Sequence, residues 1–316
     1  MAKIRVGITM GDPSGIGPEV VFKSLSGQKS RAEFVVIGDK WVFEKTRGQR
    51  PEIKGYRFVD LGNINRKNFK CGKIRPEYGR ASVEYLDAAV DMICSKEIDC
   101  LVTAPVSKEA INLSGMHFSG HTEYLKEKSG SKYIVMMLLN EKLKFSLITR
   151  HIALKDVASN IKSSDLIKTA LLTNEALKGF FSIDSPRIAV CGLNPHASDN
   201  GLFGNEENSL LKPAVKKLKK NIKYIYGPLP ADSAIKDAFC GRFDCVIALF
   251  HDQALIPLKL SSPSGGVNLT LGLPYVRTSP LHGTAFNIAG KNIADPVSMI
   301  EAIKSAIRCT SNQKKA

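Results

Sequence analysis

The sequence predicts an α/β protein with a largely parallel core. Short β-rich runs alternate with helical patterns along the whole chain. Many of the runs are apolar on both faces, as strands covered by helices on both sides must be. No internal repeat or low-complexity linker interrupts the 316 residues, so two domains would have to be joined by strands that cross between them, leaving a cleft as the natural ligand site.

In chain order, strands are expected at 4–10 ("IRVGITM"), 34–38 ("FVVIG"), 100–104 ("CLVTA"), 133–139 ("YIVMMLL"), 145–149 ("FSLIT"), 187–192 ("RIAVCG"), 245–250 ("CVIALF") and 267–272 ("VNLTLG"). Helices are expected between them. In "GRASVEYLDAAVDMICSKE" the residues Ala81, Tyr85, Ala88, Met92 and Ile93 recur at helical spacing. "SDLIKTALLTNEALKGF" and the closing "PVSMIEAIKSAI" follow the same pattern. Met136 and Met137 lie in an apolar strand and read as core.

An apolar share of 43% and a charged share of 24% belong to an ordinary globular protein and exclude a disordered chain. The net charge of +15 raises nucleic acid as a partner, so its distribution matters. Lys and Arg are scattered. The one dense run, "KPAVKKLKKNIK" from Lys212 to Lys223, has helical spacing without interleaved aromatics and reads as a solvated helix face. What survives is an attraction for small anionic substrates, with no nucleic acid partner. The seven cysteines are scattered with no Cys-x-x-Cys pair, as reduced thiols of a cytoplasmic protein are. The apolar run at the N-terminus is too short for a signal peptide and no segment reaches membrane-spanning length, so no membrane association is expected.

The stretch "ITMGDPSGIGPEVV" sits between a strand and a helix but lacks the third glycine of G-x-G-x-x-G. Gly11, Gly15 and Gly17 permit a sharp turn, Asp12 or Ser14 can cap, and Pro18 suits the first helical turn. Alone, this is a strand-to-helix turn. Together with "LHGTAFNIAGKNIADP", Leu281 to Pro296, it resembles the paired signatures of the isocitrate and isopropylmalate dehydrogenase fold. That resemblance implies two α/β/α domains with a central cleft and NAD or NADP as cofactor. It places the cofactor against Gly11, Gly15, Gly17, His282, Gly283, Thr284 and Asp295.

Three of the six histidines follow β-rich runs: His151 in "LITRHIAL", His196 in "GLNPHASD" and His251 in "ALFHDQAL". Strand ends are where α/β folds present ligand groups. Three neutral imidazoles suit zinc, cobalt or a similar divalent ion and leave positions open for substrate oxygens. Asn194, Asp252 and Gln253 are polar neighbours able to orient them. His117 reads as structural.

These segments, with "SGHTEYL", "YGPLPADS", "GGVNLTLGLPYVRTS" and above all "GLNPHASDNGLFGNEE", resemble the 4-hydroxythreonine-4-phosphate dehydrogenase family of vitamin B6 biosynthesis, from residue 4 to about 305. The resemblance implies His151, His196 and His251 as ligands of a divalent metal (zinc, cobalt or magnesium). It implies His121, Thr122, Lys259, Asn268 and Arg277 as substrate contacts. A phosphate ester wants fixed cations and hydrogen-bond donors, which that set supplies. Lys108 in "TAPVSKEA" and Lys259 are candidates for acid–base work. Residues 1–115 with 262–316 would form the cofactor-side domain, and 116–261 the metal, substrate and dimerisation domain. A homodimer with its active site near the interface is expected by analogy. Two departures stand out: "TSPLHG" where the family has T-S-V-D-H-G, and "SSPSGG" before Asn268.

The implied reaction is NAD(P)-dependent oxidation of 4-phosphohydroxy-L-threonine, then decarboxylation of the resulting β-keto acid to 3-amino-2-oxopropyl phosphate. Dehydrogenases of 4-phospho-D-threonate or 4-phospho-D-erythronate in the same family remain alternatives. So does a metal-dependent hydrolase, which would have no use for the cofactor loop.

Overall fold

The computed structural model describes residues 3–26, 32–48, 50–51, 54–263 and 265–315. The chain divides into two compact units, Met1–Ser131 with Leu273–Ser311, and Lys132–Gly272 with Asn312–Ala316. The first two crossings, at 131/132 and 272/273, fall later than the boundaries expected at 115/116 and 261/262.

The first unit begins with β1 (Arg5–Thr9), α1 (Gly17–Ser26), β2 (Glu33–Gly38), α2 (Lys40–Arg47), β3 (Tyr56–Asp60), α3 (Pro76–Cys94), β4 (Cys100–Thr103), α4 (Lys108–Leu113) and α5 (His121–Lys128). The chain then builds the second unit from β5 (Val135–Leu139), β6 (Lys144–Leu147), α6 (Val157–Asn160), α7 (Ser163–Gly179), β7 (Arg187–Cys191), α8 (Lys212–Leu218), β8 (Tyr224–Leu229), α9 (Ala231–Phe239), β9 (Cys245–Ala248), α10 (His251–Ser261) and β10 (Val267–Leu271). It returns to the first unit with β11 (Val276–Pro280) and α11 (Val297–Gln313).

In the first unit the strands lie in the order β3-β2-β1-β4-β11, each pair parallel. β4 is four consecutive buried residues, the run expected of a strand with helices on both faces. In the second unit the order is β10-β5-β6-β9-β7-β8. Its β6, β9, β7 and β8 are parallel, whereas β10–β5 and β5–β6 are antiparallel. The hairpin follows from the short "NEKL" link, in which the Asn140 side chain accepts from the N–H groups of Lys142 and Leu143. A parallel crossover needs a dozen residues or more.

Three strands carry no strong sequence signal. β3 is a half-buried edge strand. β8 contains Gly227 and Pro228, which sheets tolerate at an edge. β11 reads "VRTSP", yet all five residues are buried. Two of its polar side chains are tied within the unit: Arg277 donates to the Thr103 hydroxyl and Thr278 donates to the Ala302 carbonyl of α11.

The opening turn is closed by the chain itself. A Cβ on Gly11, at φ 71°, would run into the Pro105 carbonyl oxygen, and one on Gly17 into that of Met10. Asp12 accepts from Ser14 N–H at 2.9 Å, and its backbone N–H donates to Pro105 O at 2.9 Å. No helix of the described residues is long and apolar enough to cross a membrane.

Candidate active site

In the first unit, strand and helix ends gather cations around one uncapped helix. β4 delivers Thr103, whose hydroxyl accepts from Arg277 Nη2 of β11 at 2.6 Å. Arg277 is 1% exposed. Burial pushes its pKa down to about 10, against the pull of Tyr275 and Glu123. Four residues beyond β4, Ser107 caps α4 by accepting from Ala110 N–H at 3.1 Å, which sets Lys108 at the first turn of that helix. α5 starts at His121 behind Gly120, and no side chain caps it. Its first N–H groups therefore keep their partial positive charge for a ligand.

A Cβ on Gly120 would lie 3.5 Å from Lys108 Cε and 2.8 Å from Glu123 Oε2, so the glycine lets the Lys108 chain pass close to the start of α5. His121 is held neutral: burial, then the charges of Arg277 and Lys108, drive its pKa well below 6.5. Its Nε2 is buried with no hydrogen-bond partner. Thr122 is buried beside it. Arg277, Lys108, His121, Thr122 and the α5 end are thus brought together, and they suit a phosphate monoester. The structure adds Thr103, which the sequence reading passed over because a strand threonine carries no motif.

The opening turn meets the loop after β11 in this same unit. Ile16 N–H donates to the Thr284 carbonyl at 2.9 Å, and a Cβ on Gly15 would lie 3.2 Å from Thr284 Cβ. Gly283 has open space where a Cβ would stand. His282 Nδ1 lies 3.1 Å from the Gly283 carbonyl while Nε2 is buried and unpartnered; burial lowers its pKa. Asp295 Oδ1 accepts from Val297 N–H at 2.9 Å and so starts α11. The two motifs read as a pair from the sequence are therefore in contact, through Thr284. Gly11, Gly15 and Gly17 face the chain's own atoms, while Gly283 faces open space.

In the second unit, His151 and His251 come together with ring centroids 5.8 Å apart. They line a cavity of about 310 Å³ with Thr149, Leu154, Phe250 and Asp252. His151 follows β6 on a backbone at φ 45°. His251 opens α10, and its Nδ1 lies 2.6 Å from Asp252 Oδ1. A carboxylate on Nδ1 fixes the tautomer that leaves the Nε2 lone pair for a cation. This donor pair fits a borderline divalent ion.

His196 stands elsewhere, on a turn after β7, 6.4 Å from the Phe203 ring. The turn is unusual. His196, Ala197, Ser198, Asp199 and Asn200 have φ of 55°, 53°, 70°, 44° and 58°. Each such residue costs an L-amino acid roughly 1–2 kcal/mol, so the surroundings must hold it. Among the described residues no three His, Cys, Asp or Glu side chains converge as a metal ion requires. One chain brings two of the three expected ligands together and not the third.

Of the remaining expected residues, Asn268 lies on β10 opposite Leu138 with its Oδ1 buried and unpartnered, and Lys259 is exposed on α10. Ser264 of "SSPSGG" lies outside the described residues. The other departure, "TSPLHG", spans the end of β11 and the start of the loop carrying His282.

Comparison with known proteins adds four likenesses. The family described as "Pyridoxal phosphate biosynthetic protein PdxA" matches residues 27–306. A 4-hydroxythreonine-4-phosphate dehydrogenase of Sulfurihydrogenibium sp. (strain YO3AOP1) is 45% identical over 319 residues, covering 96% of this chain and 98% of that protein. A D-threonate 4-phosphate dehydrogenase of Cupriavidus necator is 41% identical, covering 95% of each. Among solved structures, the 4-hydroxythreonine-4-phosphate dehydrogenase of Klebsiella pneumoniae superposes with a TM-score of 0.89 at 33% identity, over 98% of each chain.

Proposed function

The chain belongs to the pyridoxal phosphate biosynthetic protein PdxA family, and from that premise we propose that it oxidises 4-phosphohydroxy-L-threonine with NAD or NADP and releases CO₂ to give 3-amino-2-oxopropyl phosphate. The observation that carries the reading is the anion site at the start of α5. Arg277, fixed by Thr103, and Lys108 supply fixed charge, and neutral His121 and the α5 N–H groups supply directed hydrogen bonds. Such a set holds the phosphate and thereby aligns the rest of the substrate. Asn268, with an unpartnered buried oxygen, and Lys259 complete the proposed substrate contacts, Lys259 or Lys108 moving the proton of the reacting hydroxyl.

NAD(P), held by the Gly15–Thr284 turn, His282, Gly283 and Asp295, supplies the hydride acceptor when bound. His151, His251 and His196 would hold a divalent ion, which would supply Lewis-acid chemistry at the substrate. His151 and His251 of one chain fit two of its ligand positions, and His196 reaches the same ion from a second copy of the chain. Exposed apolar side chains flank each histidine: Ile152 and Leu154 beside His151, Leu202 and Phe203 beside His196, Ile256 and Leu260 on the helix that His251 begins. Water-exposed apolar surface around all three is what a homodimer interface would cover.

The test is a substrate panel of 4-phosphohydroxythreonine, 4-phosphothreonate and 4-phosphoerythronate, each with NAD and NADP, read by absorbance near about 340 nm, in metal-replete and chelated buffer. Turnover fastest with the first substrate, and lost on chelation, is expected. Preference for the threonate would move this chain to the activity named for its Cupriavidus relative. No nucleotide reduction with any of the three would sink the proposal.

A further inference from the structure

We infer that Glu207 is a positioning residue, whose buried carboxylate holds the left-handed turn bearing His196 in the shape that presents the imidazole. Glu207 is 0% exposed. Its Oε1 accepts from the backbone N–H groups of both Leu193 and Asn194 at 2.8 Å, and its Oε2 from Asn194 Nδ2 at 2.9 Å. Those donors lie on the strand-side foot of the turn, with only Pro195 between them and five consecutive non-glycine residues of positive φ. The same foot leaves no slack: a Cβ on Gly192 would stand 2.9 Å from Ala197 Cα and 3.3 Å from Glu207 Oε1. A second tie leads to the other histidines. Gln253, two residues after His251, accepts from Leu249 N–H at 2.8 Å and donates to the Gly192 carbonyl at 2.9 Å. The foot of the His196 turn is thereby fixed to the strand end from which His251 springs.

A buried carboxylate that accepts from these three donors is an arrangement for shaping backbone. The role deepens the proposed function, since it rests on His196 being a metal ligand, and the experiment separates the two. Zinc affinity, by competition with a chromophoric chelator, and amide hydrogen exchange over residues 192–203 are measured on the full chain as wild type, Glu207→Ala and Glu207→Gln. Glu207→Ala is expected to lose zinc affinity by roughly 10- to 100-fold and to raise exchange over 192–203 by about tenfold or more, with exchange over 145–150 unchanged. Glu207→Gln keeps one oxygen for Leu193 and Asn194, so it recovers most of both losses. A folded Glu207→Ala with wild-type affinity and exchange overturns the inference. If wild type binds no zinc, the histidine reading fails by itself and exchange alone decides Glu207. If Glu207→Ala does not fold, Asn194→Ala decides: faster exchange in the same segment supports the clamp, and wild-type exchange refutes it.

Discussion

The ring of His151 stands 5.8 Å from that of His251, the planes tilted by 49°, while His196 of the same chain packs near Phe203. If the third ligand comes from a second copy, variants defective in different ligands should complement. His196→Ala and His251→Ala are each expected to be inactive alone. Mixed at equal amounts under conditions that exchange subunits, they should regain up to about a quarter of wild-type activity, because half the dimers are hybrids carrying one intact site. No recovery, with hybrids verified by mass, would place all three ligands in one chain.

Arg277 is a buried cation that donates to the Thr103 hydroxyl, and burial disfavours its charge enough to lower its pKa to about 10 even with Glu123 nearby. Arg277→Met is expected to weaken binding of inorganic phosphate by about 10- to 100-fold. Without phosphate its melting temperature should equal or exceed that of wild type, since the variant buries no charge. Thermal shift with and without phosphate reads both. A variant that melts lower and still responds to phosphate as wild type does would assign Arg277 to the fold.

The sequence disclosed much of this because strands and glycine turns are local. The buried runs of β4 and β9 and the turn at Gly11–Gly17 could be read from a few adjacent residues. β11 could not, since "VRTSP" owes its strand conformation to β4 beside it, and its buried Arg277 and Thr278 find their partners on β4 and α11, far away in sequence. Thr103 and Glu207 were equally silent, because their roles depend on donors 174 and 13 or 14 residues away. The three histidines were legible by their place after strands, whereas their division into a pair and a separate third depends on the path of the chain after β7.

Glycine substitutions should separate packing from binding. Gly17→Ala would drive a Cβ into the Met10 carbonyl and is expected to destabilise by about 3 kcal/mol or more. Gly283→Ala meets nothing within 4 Å, so stability should change by less than about 0.5 kcal/mol while nucleotide affinity falls. Denaturant melts and NAD(P) titration of the two variants check this. Equal nucleotide affinity in Gly283→Ala and wild type would remove Gly283 from the cofactor site.

Two titratable groups of the first unit, His121 and Asp12, should give stability opposite pH dependences. His121 has a folded pKa well below 6.5. Above 6.5 both states are neutral and nothing is lost, but below it the unfolded chain takes up a proton that the folded one refuses. Stability then falls with acid, by at most about 1.4 kcal/mol per pH unit. Asp12 is raised by burial from 3.8 to about 6, and its Oδ2 has no partner. Between those values the folded state binds the extra proton, so stability is lost as pH rises through this window and the cost persists above it. Asp12→Asn keeps the shape and removes that cost, and is expected to stabilise by about 2–3 kcal/mol at pH 8, with the gain gone near pH 4. His121→Asn should flatten the acid limb alone. Urea melts of wild type and both variants from pH 4 to 8 test the pair, and a gain for Asp12→Asn that does not change with pH would show that its carboxyl is not the titrating group.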